Sequence, residues 1–179
     1  MLTSKNTGLV VIDIQGNLAQ QVFQSEALLH NTLTLIKGAK LLALPIIHVE
    51  QAPLKLGNTV KSLADELTHY PLISKHTFDA CEEASFTRAL QESDRENWLV
   101  CGIEAHVCVY QSVRGLLNLG YQVELVSDAI SSRTHENKSL AMEKLTALGA
   151  NITGVEMALF ELVKDCRLPV FKALLPLIK

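Results

Sequence analysis

Gly8-Leu9-Val10-Val11-Ile12-Asp13-Ile14 is an apolar run broken by a single acid near its carboxyl end. A run that is apolar on both faces suits a strand covered from both sides, which is the signature of a parallel sheet packed between helices. The same alternation continues outward from it. Ser25 to Leu44 has helical spacing, with Leu29, Leu33 and Ile36 on one face and Ser25 placed as its N-cap. Pro45 ends that helix and opens a second strand to Glu50. Glu82 to Glu92 reads as a helix, Asn97 to Cys101 as a strand and His106 to Leu119 as a helix closed by Gly120. Tyr121 to Val126 is a strand and His135 to Leu148 a helix. Asn151 to Thr153 is a short strand, and Val155 to Lys164 and Val170 to Ile178 are helical.

Strand, helix, strand repetition with right-handed crossovers gives a three-layer α/β/α, Rossmann-like, doubly wound and mainly parallel sheet, with residues 1–179 as one domain. Such sheets carry their sites at the carboxyl ends of strands. That rule directs attention to Asp13 to Gln15, Glu50 to Gln51, Gly102 to Cys108 and Ser127 to Arg133. The stretch from Gln51 to Thr77 reads as one long irregular loop, and loops of that length inside a domain are often functional.

Composition excludes several classes of partner. The 179 residues carry a net charge of −3 with no run of like charge, against a nucleic acid or an anionic membrane as partner. One Trp, three Tyr and five Phe are too few for a base-stacking surface. No apolar segment approaches a membrane span, and none near Met1 suits a signal peptide, so a cytoplasmic location is expected. Cys81, Cys101, Cys108 and Cys166 include no C-x-x-C pair, and no disulfide or zinc finger is expected. No G-x-G-x-x-G follows the first strand, which sets a dinucleotide aside; no cofactor is expected.

Three residues could carry chemistry. Asp13 is a carboxylate within an apolar strand, where burial without a partner costs several kcal/mol. Cys108 falls in the first turn of a helix that follows a strand. The helix dipole and free N–H groups there favour a thiolate and could hold an oxyanion. Lys75 is a cation able to lower a thiol pKa and keep a carboxylate ionised. Cys101, inside its strand, reads as inert core.

Asp13-Ile14-Gln15, Lys75 with Phe78 three residues on, and Gly102-Ile103-Glu104-Ala105-His106-Val107-Cys108 resemble the three signature regions of the isochorismatase-like hydrolases. That superfamily includes nicotinamidases, N-carbamoylsarcosine amidase and isochorismatase. Glu50-Gln51, Asp128-Ala129, Ser131-Ser132-Arg133 and the ending Phe171 to Lys179 resemble the isochorismatase-domain-containing branch. The resemblance implies Cys108 as nucleophile, Asp13 as base and Lys75 as electrostatic support. It also implies a non-proline cis peptide at Ile103–Glu104, with the Glu104 and Cys108 N–H groups as oxyanion hole. Gln15, Gln51, Phe78 and His106 would then border the substrate.

The departures from the family shape the rest. Ile47-His48-Val49-Glu50-Gln51 lacks the Asp-x-His of metal-binding nicotinamidases, so no metal is expected and His48 reads as an ordinary strand residue. Asp79-Ala80-Cys81 stands where many members have Ser-Ala-Phe, and Ala105 where Thr is usual. The leading expectation is a metal-independent hydrolase of a small amide or other C–N substrate acting through a thioester. A vinyl-ether or ester hydrolase of the same fold, and a catalytically silent oligomeric scaffold, are the alternatives. The apolar segment Val170 to Ile178 leads to the expectation of a homo-oligomer. Cys108 is expected to titrate below the ordinary thiol value, with Asp13 opposing that shift.

Overall fold

A computed structural model describes residues 1–178. Among these the strands are β1 (Thr7–Ile12), β2 (Ile46–Gln51), β3 (Leu72–Lys75), β4 (Asn97–Gly102), β5 (Gln122–Ile130) and β6 (Asn151–Thr153). The helices are α1 (Leu18–Gln21), α2 (Ser25–Leu41), α3 (Pro53–Leu56), α4 (Lys61–Leu67), α5 (Ala84–Ser93), α6 (Tyr110–Asn118), α7 (His135–Ala147), α8 (Val155–Val163) and α9 (Pro169–Ile178). A 3₁₀ turn at Ala80–Glu82 precedes α5, and a π turn at Ala105–Val109 leads into α6.

The strands form one sheet in the order β3-β2-β1-β4-β5-β6, and every pairing is parallel. This is the doubly wound α/β architecture expected. The order reverses between β1 and β4, and crevices at such a switch point are where these sheets bind ligands. Register brings the carboxyl ends level there: Gln51 lies beside Lys75, Ile12 beside Gly102, and Gly102 beside Ile130.

Alternation along each strand divides the core in two. Leu9 and Val11 of β1 face α2, α4, α8 and α9, meeting Leu35, Ile36, Leu63 and Leu159. Val10 and Ile12 face α5, α6 and α7, meeting Phe86, Val113, Leu116 and Leu145. Burying one such aliphatic side chain is worth about 1.5–3 kcal/mol, which is why the uninterrupted β-branched run at the centre selects the middle of the sheet.

Five expectations are corrected. The stretch from Gln51 to Thr77 is structured: α3, α4 and the edge strand β3 occupy much of it. A four-residue strand with an exposed-buried-exposed-buried pattern is too short, and its inward Lys75 too polar, to register as a hydrophobic repeat. In α2 the buried face is Leu28, Thr32, Leu35, Ile36 and Ala39, with Leu29 and Leu33 only on its flank. Ser25 is the first helical residue; the N-cap is Gln24, left-handed at φ 52° and making no side-chain capping bond. β5 runs on to Ile130, past a register shift between Val100 and Gly102. Finally, Val170 to Ile178 is not a free apolar strip. Leu174 is buried, and Val170, Phe171, Leu177 and Ile178 pack on the core beside α2.

Candidate active site

Asp13 follows β1 with φ 52°, a left-handed conformation that Asp tolerates better than most residues. Its N–H donates to Val49 O (3.2 Å), and its carbonyl accepts from Gln15 N (2.9 Å). This tight turn holds the carboxylate at the end of the central strand. Lys75 ends β3 on the same face as Ile73, and its side chain is completely buried. The ammonium donates to Asp13 Oδ2 (2.6 Å), to Gln51 Oε1 (2.6 Å) and more weakly to Thr77 O (3.4 Å). Asp13 Oδ1 is buried without a hydrogen-bond partner.

Cys108 arrives from the other side of the switch point. Gly102, at φ 134°, starts the turn; a Cβ there would lie 2.1 Å from Ile12 O, so only glycine lets β4 end this close to β1. The Ile103–Glu104 peptide that follows is cis. The π turn then places Cys108 at 7% exposure, close enough to Asp13 and Lys75 for both charges to act on its thiol. The three residues singled out in the sequence are therefore brought together at the carboxyl edge.

The electrostatics differ from the expectation for the thiol. Burial, then the charge of Asp13, push Cys108 up to about 12, and Lys75 only partly opposes them. The expected depression fails because the thiol leaves water and lies beside an acid as well as a cation. Asp13 is also raised from 3.8: burial outweighs both the charge of Lys75 and its hydrogen bond. At rest the thiol is thus neutral, and the Asp13 carboxyl beside it holds a proton more tightly than a free carboxyl does.

A second layer fixes these groups. Gln51 Nε2 donates to His76 O (2.7 Å), which orients the oxygen that receives Lys75. Gln15, expected beside the substrate, is fully buried and committed to backbone: Nε2 donates to Gln51 O (3.1 Å) and Gly57 O (2.6 Å), and Oε1 accepts from Gln51 N (2.7 Å). Phe78 is half exposed, and His106 is half buried with Nδ1 3.0 Å from Ser132 Oγ. Arg133 forks onto Glu104, with Nε to Oε1 at 3.0 Å and Nη2 to Oε2 at 2.9 Å, while its own N–H reaches Oε1 at 3.1 Å. This pair holds Glu104 below the usual carboxylate range. Ala105 N donates to Ser131 O (2.7 Å), so the segment Ser131 to Arg133 straps the turn that carries Cys108. Sequence reading placed Ser131-Ser132-Arg133 past a strand end and in the family resemblance, without a role for Arg133. The signal for its contact with Glu104 was an acid and an arginine, each just past a neighbouring strand.

Among the described residues no group of three or more His, Cys, Asp or Glu is placed to hold a metal ion, and no helix is long and apolar enough to cross a membrane. His48 lies buried on β2 with Nδ1 unpartnered.

Comparison with known proteins agrees with this architecture. The isochorismatase domain matches residues 7–157. The secreted isochorismatase effector Isc1 of Phytophthora sojae is 37% identical over 177 residues, spanning 96% of this chain and 83% of that protein. The structure of the MAR1 ribonuclease from Caenorhabditis elegans superposes with a TM-score of 0.94 at 33% identity, covering 99% of this chain and 91% of that one. The YcaC gene product of Escherichia coli, described as an octameric hydrolase of unknown specificity, shares the fold at a TM-score of 0.93 and 21% identity, with coverage of 98% and 89%. With its domain matched from β1 into α8 and a relative 37% identical over nearly its whole length, the chain belongs to the isochorismatase family of hydrolases.

Proposed function

We propose that this chain is a cysteine hydrolase that cleaves a small amide or other C–N substrate through a thioester, without a metal. The observation that carries the reading is the buried Lys75 Nζ to Asp13 Oδ2 contact of 2.6 Å with the Cys108 thiol beside both. A fully buried lysine is expensive, and one fixed by two side chains against a strand-end carboxylate next to a thiol suits catalysis better than packing.

In this reading Cys108 Sγ attacks the carbonyl carbon while its proton passes to Asp13, whose raised pKa makes it a stronger base than a free carboxylate. Lys75 keeps the carboxylate ionised until it accepts that proton and balances the charge that develops on sulfur. The carbonyl oxygen becomes an oxyanion facing the backbone N–H groups of Glu104 and Cys108. Collapse breaks the C–N bond, and Asp13 returns the proton to the leaving nitrogen. Water, deprotonated by Asp13, then attacks the thioester; the acid product leaves, and Cys108 regains its proton. Phe78 and His106 are the side chains at the rim for substrate contact.

The test is a panel of amides, ureides and esters with wild type and Cys108→Ala. Turnover of an amide by wild type alone, with an acyl adduct on Cys108 by mass spectrometry, is the expected result. Equal turnover by Cys108→Ala would overturn it. RNA is a second substrate class for the same panel, because a ribonuclease shares 33% identity over 99% of the chain; cleavage of RNA without any amide turnover would replace the amide reading. Assembly and location belong to the same proposal. A homo-oligomer is expected, and sedimentation of only a 19.7 kDa species would reject it. The free thiols of Cys81, Cys101, Cys108 and Cys166 suit the cytoplasm, and recovery from the medium, as for a secreted effector, would reject that.

A further inference from the structure

A cavity of about 390 Å³ lies between the N-terminal turns of α2 and α7 and the carboxyl end of β5. Its volume is within the range of small-ligand sites, roughly 300–1,000 Å³. Phe23, Asn31, Asp128, His135, Lys138 and Met142 line it, and neither Asp13, Lys75 nor Cys108 does.

Two opposite charges face this space without closing on each other. Lys138 is half buried, and burial pushes its ammonium below the usual lysine value while Asp128 partly restores it. Asp128 is therefore near enough to be felt. Among the described residues, however, Lys138 makes no ion pair. Asp128 is fixed in place: Oδ1 accepts from Val155 N (2.9 Å), and its carbonyl accepts from Asn31 Nδ2 (2.8 Å). Lys138 is half buried and Asp128 exposed, so the fold seals neither charge and both stay open to a ligand entering this space. The apolar wall is as definite. Phe23 and His135 stack edge to face with centroids 5.2 Å apart, and Phe23 is pinned to the strap through Ser132 O and Ser131 Oγ.

We infer that this cavity is a binding site, separate from the catalytic one, for a small zwitterion of the ω-amino acid type. Its carboxylate meets Lys138, its ammonium meets Asp128, and its short apolar stem lies against Phe23, Ile130 and Met142. A molecule with one charge leaves the other half of the site unpaired, so both ends are required for full affinity.

The probes are glycine, 4-aminobutyrate and 6-aminohexanoate, with butyrate and butylammonium as single-charge controls, followed by amide chemical shifts of the full chain. One ω-amino acid is expected to shift amides around 23–31, 127–130 and 135–142, and to bind at least about tenfold tighter than either control. Lys138→Met and Asp128→Asn should each abolish that advantage. The asparagine retains the acceptor for Val155 N, so its melting temperature should match wild type and the loss can be read as binding. Cys108→Ala should bind as wild type does, which keeps this result independent of the proposed reaction. Equal binding by butyrate, shifts confined to 102–109, or no shift from any probe at millimolar concentration would each overturn the inference.

Discussion

Two ion pairs flank Cys108, and their carboxylates shift in opposite directions. Lys75–Asp13 is dry on both sides, with side chains 0% and 3% exposed; Arg133–Glu104 has its guanidinium 64% in solvent and its carboxylate 8% exposed. The contact distances are similar, 2.6 and 2.9 Å, yet Asp13 is raised and Glu104 lowered. Distance is therefore not what decides. Where both partners leave water, the loss of hydration outweighs the attraction, and the carboxylate becomes a better base. Where the cation stays wet and forks onto both oxygens, hydrogen bonding wins, and the carboxylate becomes a fixed anchor. In the proposed reaction the first pair exchanges a proton, while the second holds a turn still.

The largest effect should come from breaking the dry pair. Lys75→Met removes the two largest influences that lower Asp13, so its carboxyl is pushed further up and, in the proposed reaction, loses the cation that keeps it ready as a base. Turnover is expected to fall by at least ~10³-fold. Stability should fall toward the lower end of ~3–5 kcal/mol, because Asp13 can neutralise itself. Turnover within about tenfold of wild type, by the hydrolysis assay, would show that the pair is structural only.

Asp13→Asn separates two roles that the dry pair combines. Turnover is expected to drop ~10²–10⁴-fold with the base gone. Alkylation of Cys108 by iodoacetamide should not drop with it, because the charge of Asp13 is among the causes that hold the thiol up near 12. Wild-type Cys108 should itself alkylate more slowly at neutral pH than a free thiol. A parallel fall of turnover and alkylation in Asp13→Asn would mean that Asp13 serves by positioning the sulfur.

The contrast also explains what the sequence could disclose. Asp13 and Cys108 were legible because each follows a long apolar strand, and strand ends in a doubly wound sheet are where sites sit. Lys75 could be singled out as a cation but not placed: the strand that carries it has four residues, and its burial depends on Asp13 and Gln51, far away in the chain. Gln15 shows the opposite failure. It stands at a strand end, yet its amide is absorbed by Gln51 and Gly57, because a polar residue at an edge can serve backbone as readily as substrate. The sign of the Cys108 shift was not legible at all. It turns on how much water the site excludes, and no residue spacing encodes that.

The smallest effect tests the wet pair, and its pH dependence separates it from the dry one. Glu104 titrates below its ordinary value of 4.5 in the folded chain, so on acidification the unfolded chain takes that proton first. Its contribution to stability is complete above 4.5 and disappears as pH falls through the lower folded value. Asp13 runs the other way. Raised above 3.8, it favours the folded chain at low pH, and that advantage fades as pH rises through its folded value. Arg133→Gln removes the cause of the Glu104 shift and leaves Asp13 untouched. Thermal unfolding followed from pH 7 down through the carboxylate range should then show a shallower acid loss in Arg133→Gln than in wild type, the two curves converging at the acid end. Turnover should fall by only about tenfold, below the 10²–10³ of losing an oxyanion donor outright, because the Glu104 N–H is loosened rather than removed. KM should move less than kcat, since the guanidinium holds the turn and not the substrate. If the acid limbs of the two proteins coincide, Glu104 is held by the backbone of the strap alone, and the difference between the two pairs reduces to burial.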